Sequence, residues 1–273
     1  NLLILFSLAA SVLPSKAQTS DGLLAQAEAA MRSGQKTHAL ELVTEAIQAK
    51  PTNPKTYLFR GILLAQSEQR EAAILDYSHA TRIDPNLGQA YNLRGQEYFK
   101  LARIKESLQD FDQAIKLSPG LEPYHWQRGI SFYYAKHYVK GRKQFELHQL
   151  VNPNDVENAI WHFLCVAKLE GVGSARQLMI PIENDRRVPM MEIDALFRGK
   201  GTVAKVMQAA RAGDPTGSEL NWRLFYANLY LGLYHEALGN KTKALEHIQH
   251  AAENSKPSSY MAQVARVHLH FLQ

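Results

Sequence analysis

The sequence predicts an all-α chain in which short helices pair into hairpins and the hairpins stack in series as a solenoid. Three observations carry this. Pro51, Pro85, Pro119 and Pro153 stand 34 residues apart. Proline lacks a backbone N–H and fixes its own φ, so it delimits helices rather than filling them. Gly61, Gly95 and Gly129 keep the same interval, each preceded by an arginine, Arg60, Arg94 and Arg128. Bulky and small residues inside each interval recur at helical spacing. One structural unit is therefore copied along the chain, and such a stack presents a long surface rather than a deep pocket.

Each unit reads as two helices. Tyr57, Gly61 and Leu64 are spaced by four and three, which sets them on one face of a first helix. Tyr91, Gly95 and Tyr98, then His125, Gly129 and Phe132, repeat the arrangement. The second helix carries a small residue at Ala39, Ala73, Ser107 and Gly141, then a bulky one at Val43, Tyr77, Phe111 and Phe145. A second small residue follows at Ala46, Ala80 and Ala114, with His148 breaking the rule. Small residues let the two helices approach, the bulky ones fill the space beside them, and each hairpin must bury its apolar face on its neighbour.

This order over 34 residues resembles the tetratricopeptide repeat (TPR), with four tandem units within residues 18–153. The resemblance implies a right-handed α-solenoid of TPR helix-turn-helix repeats. Residues 154–217 lose the rhythm. A helix capped by Asp155 is expected to end at Gly171 and Gly173, and a short one from Ser174 to stop before Pro181. Asp185, Arg186 and Arg187 form a polar connector. Pro189 opens a helix through Phe197, and Thr202 caps another with Val203, Val206, Met207 and Ala210 inside. Residues 218–273 hold a fifth unit, with Gly232, Ala244, Ile248, Ala251 and Pro257 in the repeat order and a turn at Gly239 and Asn240. A capping helix from Ser258, carrying Tyr260, Val264, Val267 and Phe271, closes the chain.

Residues 1–17 read as a secretory signal peptide. Thirteen uncharged, mostly apolar residues precede small residues suited to a cut after Ala17. The run is too short for a span of about 20 residues, and a buried N-terminal helix is the alternative. The expectation is an exported protein, periplasmic or secreted, with no transmembrane span in the mature chain. A net charge of +5 spread along 273 residues gives no footprint for nucleic acid. Cys165 is the one cysteine, so it forms no internal disulfide; its apolar helical setting predicts a buried free thiol.

The arrangement also resembles NlpI-type periplasmic TPR proteins, through the run 191–199, the segment 203–210 and the stretch from Phe225 to Gly239. That resemblance implies a non-enzymatic adaptor that brings envelope proteases or cell-wall hydrolases together and can form a homo-dimer. The lipid-anchor cysteine of that family is absent here. In a TPR solenoid the first helices line the concave face, which places Leu58, Phe59, Ile62, Asn92, Gln96, Phe99, Trp126, Ile130 and Tyr133 in a groove for a protein or peptide partner. Neighbouring helices or the chain's own C-terminal segment are the alternative occupants. Only Asn92, Lys55 and Lys100 stand near positions suited to gripping a C-terminal carboxylate, which argues against that subtype. The arginine ladder suits bonds between repeats better than an acidic partner. His235, His247, His250, His268 and His270 read as surface residues, and His247 and His250 have no further ligand at metal spacing. No catalytic motif, cofactor loop or metal set stands out. The alternatives in other classes are a hydrolase using Glu183, Asp185, Glu192 or Asp194, and a self-associating architectural protein.

Overall fold

Thirty-four-residue spacing becomes geometry in the computed structural model, which describes residues 19–254 and 259–273. The expected leader and its cleavage site lie outside the described residues, as do Pro257 and Ser258. Four hairpins come first: α1 (Ser20–Arg32) with α2 (Lys36–Ala49), α3 (Pro54–Gln66) with α4 (Arg70–Ile83), α5 (Gly88–Lys100) with α6 (Ile104–Leu117), and α7 (Trp126–Tyr134) with α8 (Tyr138–Gln149). A 3₁₀ helix, Pro119–Tyr124, precedes α7 and carries Pro123 inside it. No strand occurs among the described residues. The fold is a right-handed, all-α solenoid of TPR helix-turn-helix repeats.

The periodic glycines mark where the two helices of a hairpin touch. A Cβ built on Gly61 would sit 2.6 Å from Tyr77, on Gly95 2.8 Å from Phe111, and on Gly129 2.7 Å from Phe145. Gly232 meets Ile248 at 2.5 Å in the same way, so the late hairpin shares the construction. Each turn uses one left-handed residue, Gly34 (φ 79°), Glu68 (59°), Ala102 (56°) and Lys136 (60°). After each, an N–H bonds back to the carbonyl five residues earlier: Gln35 to Ala30, Gln69 to Leu64, Arg103 to Tyr98 and His137 to Phe132, at 2.9–3.0 Å. This closing pattern satisfies the helix's last carbonyls.

The arginine ladder works inside each hairpin and, at two of its three rungs, also between hairpins as the sequence suggested. Arg60 grips Asp76 at 2.7 and 2.8 Å, and Arg94 grips Asp110 at 2.7 Å through both nitrogens. Arg128 reaches Gln144 at 3.0 Å. Two of the arginines also reach the preceding hairpin, Arg94 at Ser78 and Thr81 and Arg128 at Asp112. Asp76, Asp110 and Gln144 are themselves 34 residues apart, each 16 after its arginine.

Beyond the four hairpins, α9 (Val156–Leu178) breaks at Gly171 (φ 85°), and α10 (Met190–Phe197) and α11 (Val203–Arg211) follow. Then α12 (Gly217–Ala237) pairs with α13 (Lys241–Glu253), and α14 (Tyr260–Leu272) packs on α13 and crosses to α5. Two small cores serve the first hairpins, one around Leu23, Ala27 and Val43 and one around Leu58, Tyr77 and Ala90. A single large core then runs from Phe99 to Val267. Cys165 lies within it, fully buried, and burial pushes its thiol well up from the ordinary value.

Candidate functional site

Helix α14 lies in the concave face of the third and fourth hairpins. Its Tyr260 ring stacks on Phe99 (5.4 Å, 17°) and meets Trp126 edge-on (5.1 Å, 86°). At its far end Phe271 stacks on Tyr134 at 5.3 Å. His268 Nδ1 sits 3.0 Å from the Tyr134 hydroxyl, and His268 Nε2 lies 3.0 Å from Glu236, which also takes Lys168 at 2.8 Å. Burial alone would raise the Glu236 carboxyl, but His268 and Lys168 bring it down to about 2. This ion cluster ties α14 to α7, α9 and α12.

The nine residues expected in a groove divide accordingly. Phe99 and Ile130 are fully buried, and Tyr133 and Leu58 nearly so, all within the cores. Trp126 is half-buried against Tyr260. Phe59 packs on the first core. Asn92 accepts from His125 Nε2 at 2.8 Å, while His125 Nδ1 accepts from the Arg128 N–H and so caps α7. That pairing requires a neutral imidazole, and burial holds His125 down at about 4. Ile62 and Gln96 remain, and both line an open trough of about 630 Å³ on the concave side of the earlier hairpins.

The trough is apolar along Ile62, Ala65 and Leu93 and polar along Gln66, Gln96 and Arg70. Its floor holds Glu97, buried and paired with Lys100 at 2.6 Å and Arg70 at 3.2 Å. Lys100 and Asn92 are thus engaged within the protein. One side of the same surface is filled by α14; the other is left open, with Gln263 of α14 at its border.

The acidic residues weighed for catalysis do not converge. Glu183 is exposed and Glu192 half-buried. Asp194 is held by Arg198 at 2.7 and 3.0 Å. Asp185 bonds Arg187 and the Val156 N–H; burial opposes its charge, but these bonds hold it below the usual carboxylate range. A different pair, Asp155 and Glu157, shares a cavity. The sequence offered Asp155 only as a helix cap, a role it also plays, accepting from the Glu157 N–H at 3.1 Å.

Two of the C-terminal histidines are not on the surface: His235 and His268 are buried, and His235 stacks on His247 at 5.5 Å. His247 bonds Asn228 at 2.9 Å. Among the described residues no group of three His, Cys, Asp or Glu is placed to hold a metal ion. No described helix is long and apolar enough to cross a membrane.

A tetratricopeptide-repeat family profile matches residues 54–87 and 88–120, the second and third hairpins with their linkers. Among solved structures, a tetratricopeptide repeat protein from Parabacteroides merdae is similar at 14% identity, over 94% of this chain and 99% of that one, with a TM-score of 0.61. A MamA protein is similar at 14% identity over 73% of this chain and 98% of its own, with a TM-score of 0.55. Both likenesses concern the fold.

Proposed function

We propose that this chain is a non-enzymatic adaptor that holds a segment of a protein partner in the open trough of its first three hairpins. The observation that supports this best is the contrast along the concave face. The chain's own helix α14 occupies the later part, with aromatic contacts at 5.1–5.4 Å. The earlier part keeps half-buried Ile62, Leu93 and Gln96 around an open trough of about 630 Å³. That α14 seats there indicates the kind of ligand such a surface accepts: an amphipathic helix or extended peptide with apolar anchors.

The export reading rests on the apolar leader and its small-residue cleavage pattern. With the NlpI-type resemblance it favours an envelope protease or cell-wall enzyme as partner. Engagement of the candidate carboxylates by Arg187 and Arg198 supports the adaptor over a hydrolase that would use Asp185 or Asp194.

The test is site-specific photocrosslinking from position 62 or 96 in cells, followed by identification of the adduct. A discrete protein adduct that Ile62→Glu weakens at least tenfold supports the reading. If Ile62→Glu folds and captures every partner of the wild type, the trough is not the binding surface.

A further inference from the structure

A cluster of acids stands where the fourth hairpin meets the irregular segment, at the edge of a cavity walled by α7, α8, α9, α12 and α14. Asp155 caps α9, Glu157 lies in its first turn, and Asp185 sits in the connector that leads to α10. All three bond Arg187: Asp155 at 2.7 Å, Glu157 at 2.5 Å and Asp185 at 2.5 Å. Tyr230 of α12 closes the group on Glu157 Oε2 at 2.5 Å, across 73 residues of sequence. Three carboxylates on one guanidinium leave two negative charges in excess. The Asp185 side chain is 4% exposed and that of Glu157 14%, so little water screens that excess. Like charges held together out of water are relieved when one of them takes a proton.

We propose that these side chains form a proton-held clasp: it is closed while Glu157 carries a proton, and once that proton leaves it loosens where the connector and α12 dock on α9. Glu157 is the member placed to take the proton. Asp155 accepts from the Glu157 N–H at 3.1 Å, and Asp185 accepts from the N–H groups of Val156 at 3.3 Å and Arg187 at 3.1 Å. Backbone donors favour the ionised form of those two. Glu157 faces a hydroxyl instead, and a phenol accepts as well as donates. A protonated Oε2 donates to the Tyr230 oxygen while Oε1 keeps its bond from Arg187.

The other groups facing the clasp come from four elements. From α8, His148 Nε2 stands 3.9 Å from Asp155, beyond hydrogen-bond reach, and its Nδ1 donates to the Pro123 carbonyl. From α12, burial raises both Tyr226 and Tyr230, so these phenols stay neutral. From α14 comes the Tyr260 phenol, raised likewise by burial. In the connector Arg186 is exposed, and the Asp185 N–H meets Met191 Sδ of α10 at 3.2 Å. Burial, then neighbouring Asp155, push the Glu157 carboxyl up to about 7, against the pull of Arg187 and Tyr230. The folded chain therefore holds this proton more tightly than the unfolded one, where a glutamate titrates near about 4.3. The stability that the clasp supplies is complete below that range and is lost as pH rises through about 7. The clasp is separate from the open trough and stands whether or not a partner binds there.

The experiment is a pH titration of the full chain carrying ¹³C at its glutamate side-chain carboxyls, joined to urea melts and amide exchange at about pH 5.5 and 8. Expected is a carboxyl resonance with its midpoint near 7 that is absent from Glu157→Gln. The unfolding constant of the wild type, divided by that of Glu157→Gln, rises about tenfold or more between those two pH values. The ratio cancels titrations elsewhere in the chain. Exchange, corrected for its intrinsic pH dependence, quickens at the amides of Val156, Glu157 and Arg187 in the wild type and not in the variant. Should Glu157→Gln not fold, Tyr230→Phe reads the same carboxyl. It removes a charge-assisted bond to the ionised form, so the midpoint moves to higher pH. No glutamate carboxyl titrating between about pH 6 and 8, a ratio that stays constant, or full protection of those three amides at about pH 8 overturns the proposal.

Discussion

Among the described residues, the side-chain bonds that link helices of the first two hairpins run within them or to the next hairpin along, whereas the region from Phe99 onward is closed by contacts between distant segments. Asn53 reaches Ser20, 33 residues back, and Arg70 reaches Glu97, 27 ahead. In the later region Lys168 meets Glu236 across 68 residues, Glu157 meets Tyr230 across 73, and Tyr134 meets His268 across 134. An array of nearest-neighbour contacts gives stability that sums hairpin by hairpin and leaves its concave side free. A closed region spends that side on its own core. The difference teaches that one repeat geometry yields two behaviours, and that α14 decides between them.

Removing residues 255–273 breaks the comparison most severely. Four large apolar or aromatic side chains, Tyr260, Met261, Val264 and Val267, leave their sites. At about 1.5–3 kcal/mol each, the loss is on the order of 6–12 kcal/mol. Hydrogen exchange is expected to show lost protection in α5, α7, α12 and α13 while α1–α4 keep theirs. Loss spread evenly over all hairpins would mean that the two regions are one cooperative unit and that the contrast is false.

The glycine contacts sharpen the comparison at a smaller scale. Gly61→Ala, Gly95→Ala and Gly232→Ala each force a methyl into a packed partner, at 2.6 Å from Tyr77, 2.8 Å from Phe111 and 2.5 Å from Ile248. Overpacking of this kind costs about 1–3 kcal/mol. Denaturant melts are expected to place all three in that range. Gly232→Ala should raise exchange in α14 most, because α13 carries both Ile248 and the main packing surface of α14. A negligible cost at Gly232 would remove the late hairpin from the repeat series.

Most of the fold was legible because the repeat writes its contacts at fixed spacing. Gly61 with Tyr77 and Gly95 with Phe111 are local pairs, set by helices that the sequence delimits with Pro51, Pro85 and Pro119. The break at Gly171 and the caps at Asp155 and Thr202 are equally local signals. The ladder partners Asp76, Asp110 and Gln144 carried the same 34-residue signal and were readable too. The groove was only half legible. Register alone sets Phe99 and Trp126 on the concave face, but it does not say that Tyr260, more than a hundred residues later, lies on them. The cavity beside Asp155 and Glu157 draws on five helices and a connector, so no window of sequence contains it.

The smallest effect tests whether the regular hairpins share one turn. Gly34, Glu68, Ala102 and Lys136 occupy the same left-handed position, with φ between 56° and 79°. Only the first is glycine, although a side chain there costs about 1–2 kcal/mol. Lys136 is exposed, so its side chain gives up little packing when removed. Glycine adds disorder to the unfolded chain, which takes back about 0.4–1 kcal/mol. Lys136→Gly is therefore expected to stabilise the protein by about 0.5–1 kcal/mol in urea melts, and Glu68→Gly by a similar amount. Gly34→Ala is expected to do the reverse. Since Glu68 lies in the open region and Lys136 in the closed one, equal gains would show that turn energetics are a property of the repeat. A gain at Glu68 alone would show that closure by α14 holds the later turn in place whatever residue occupies it.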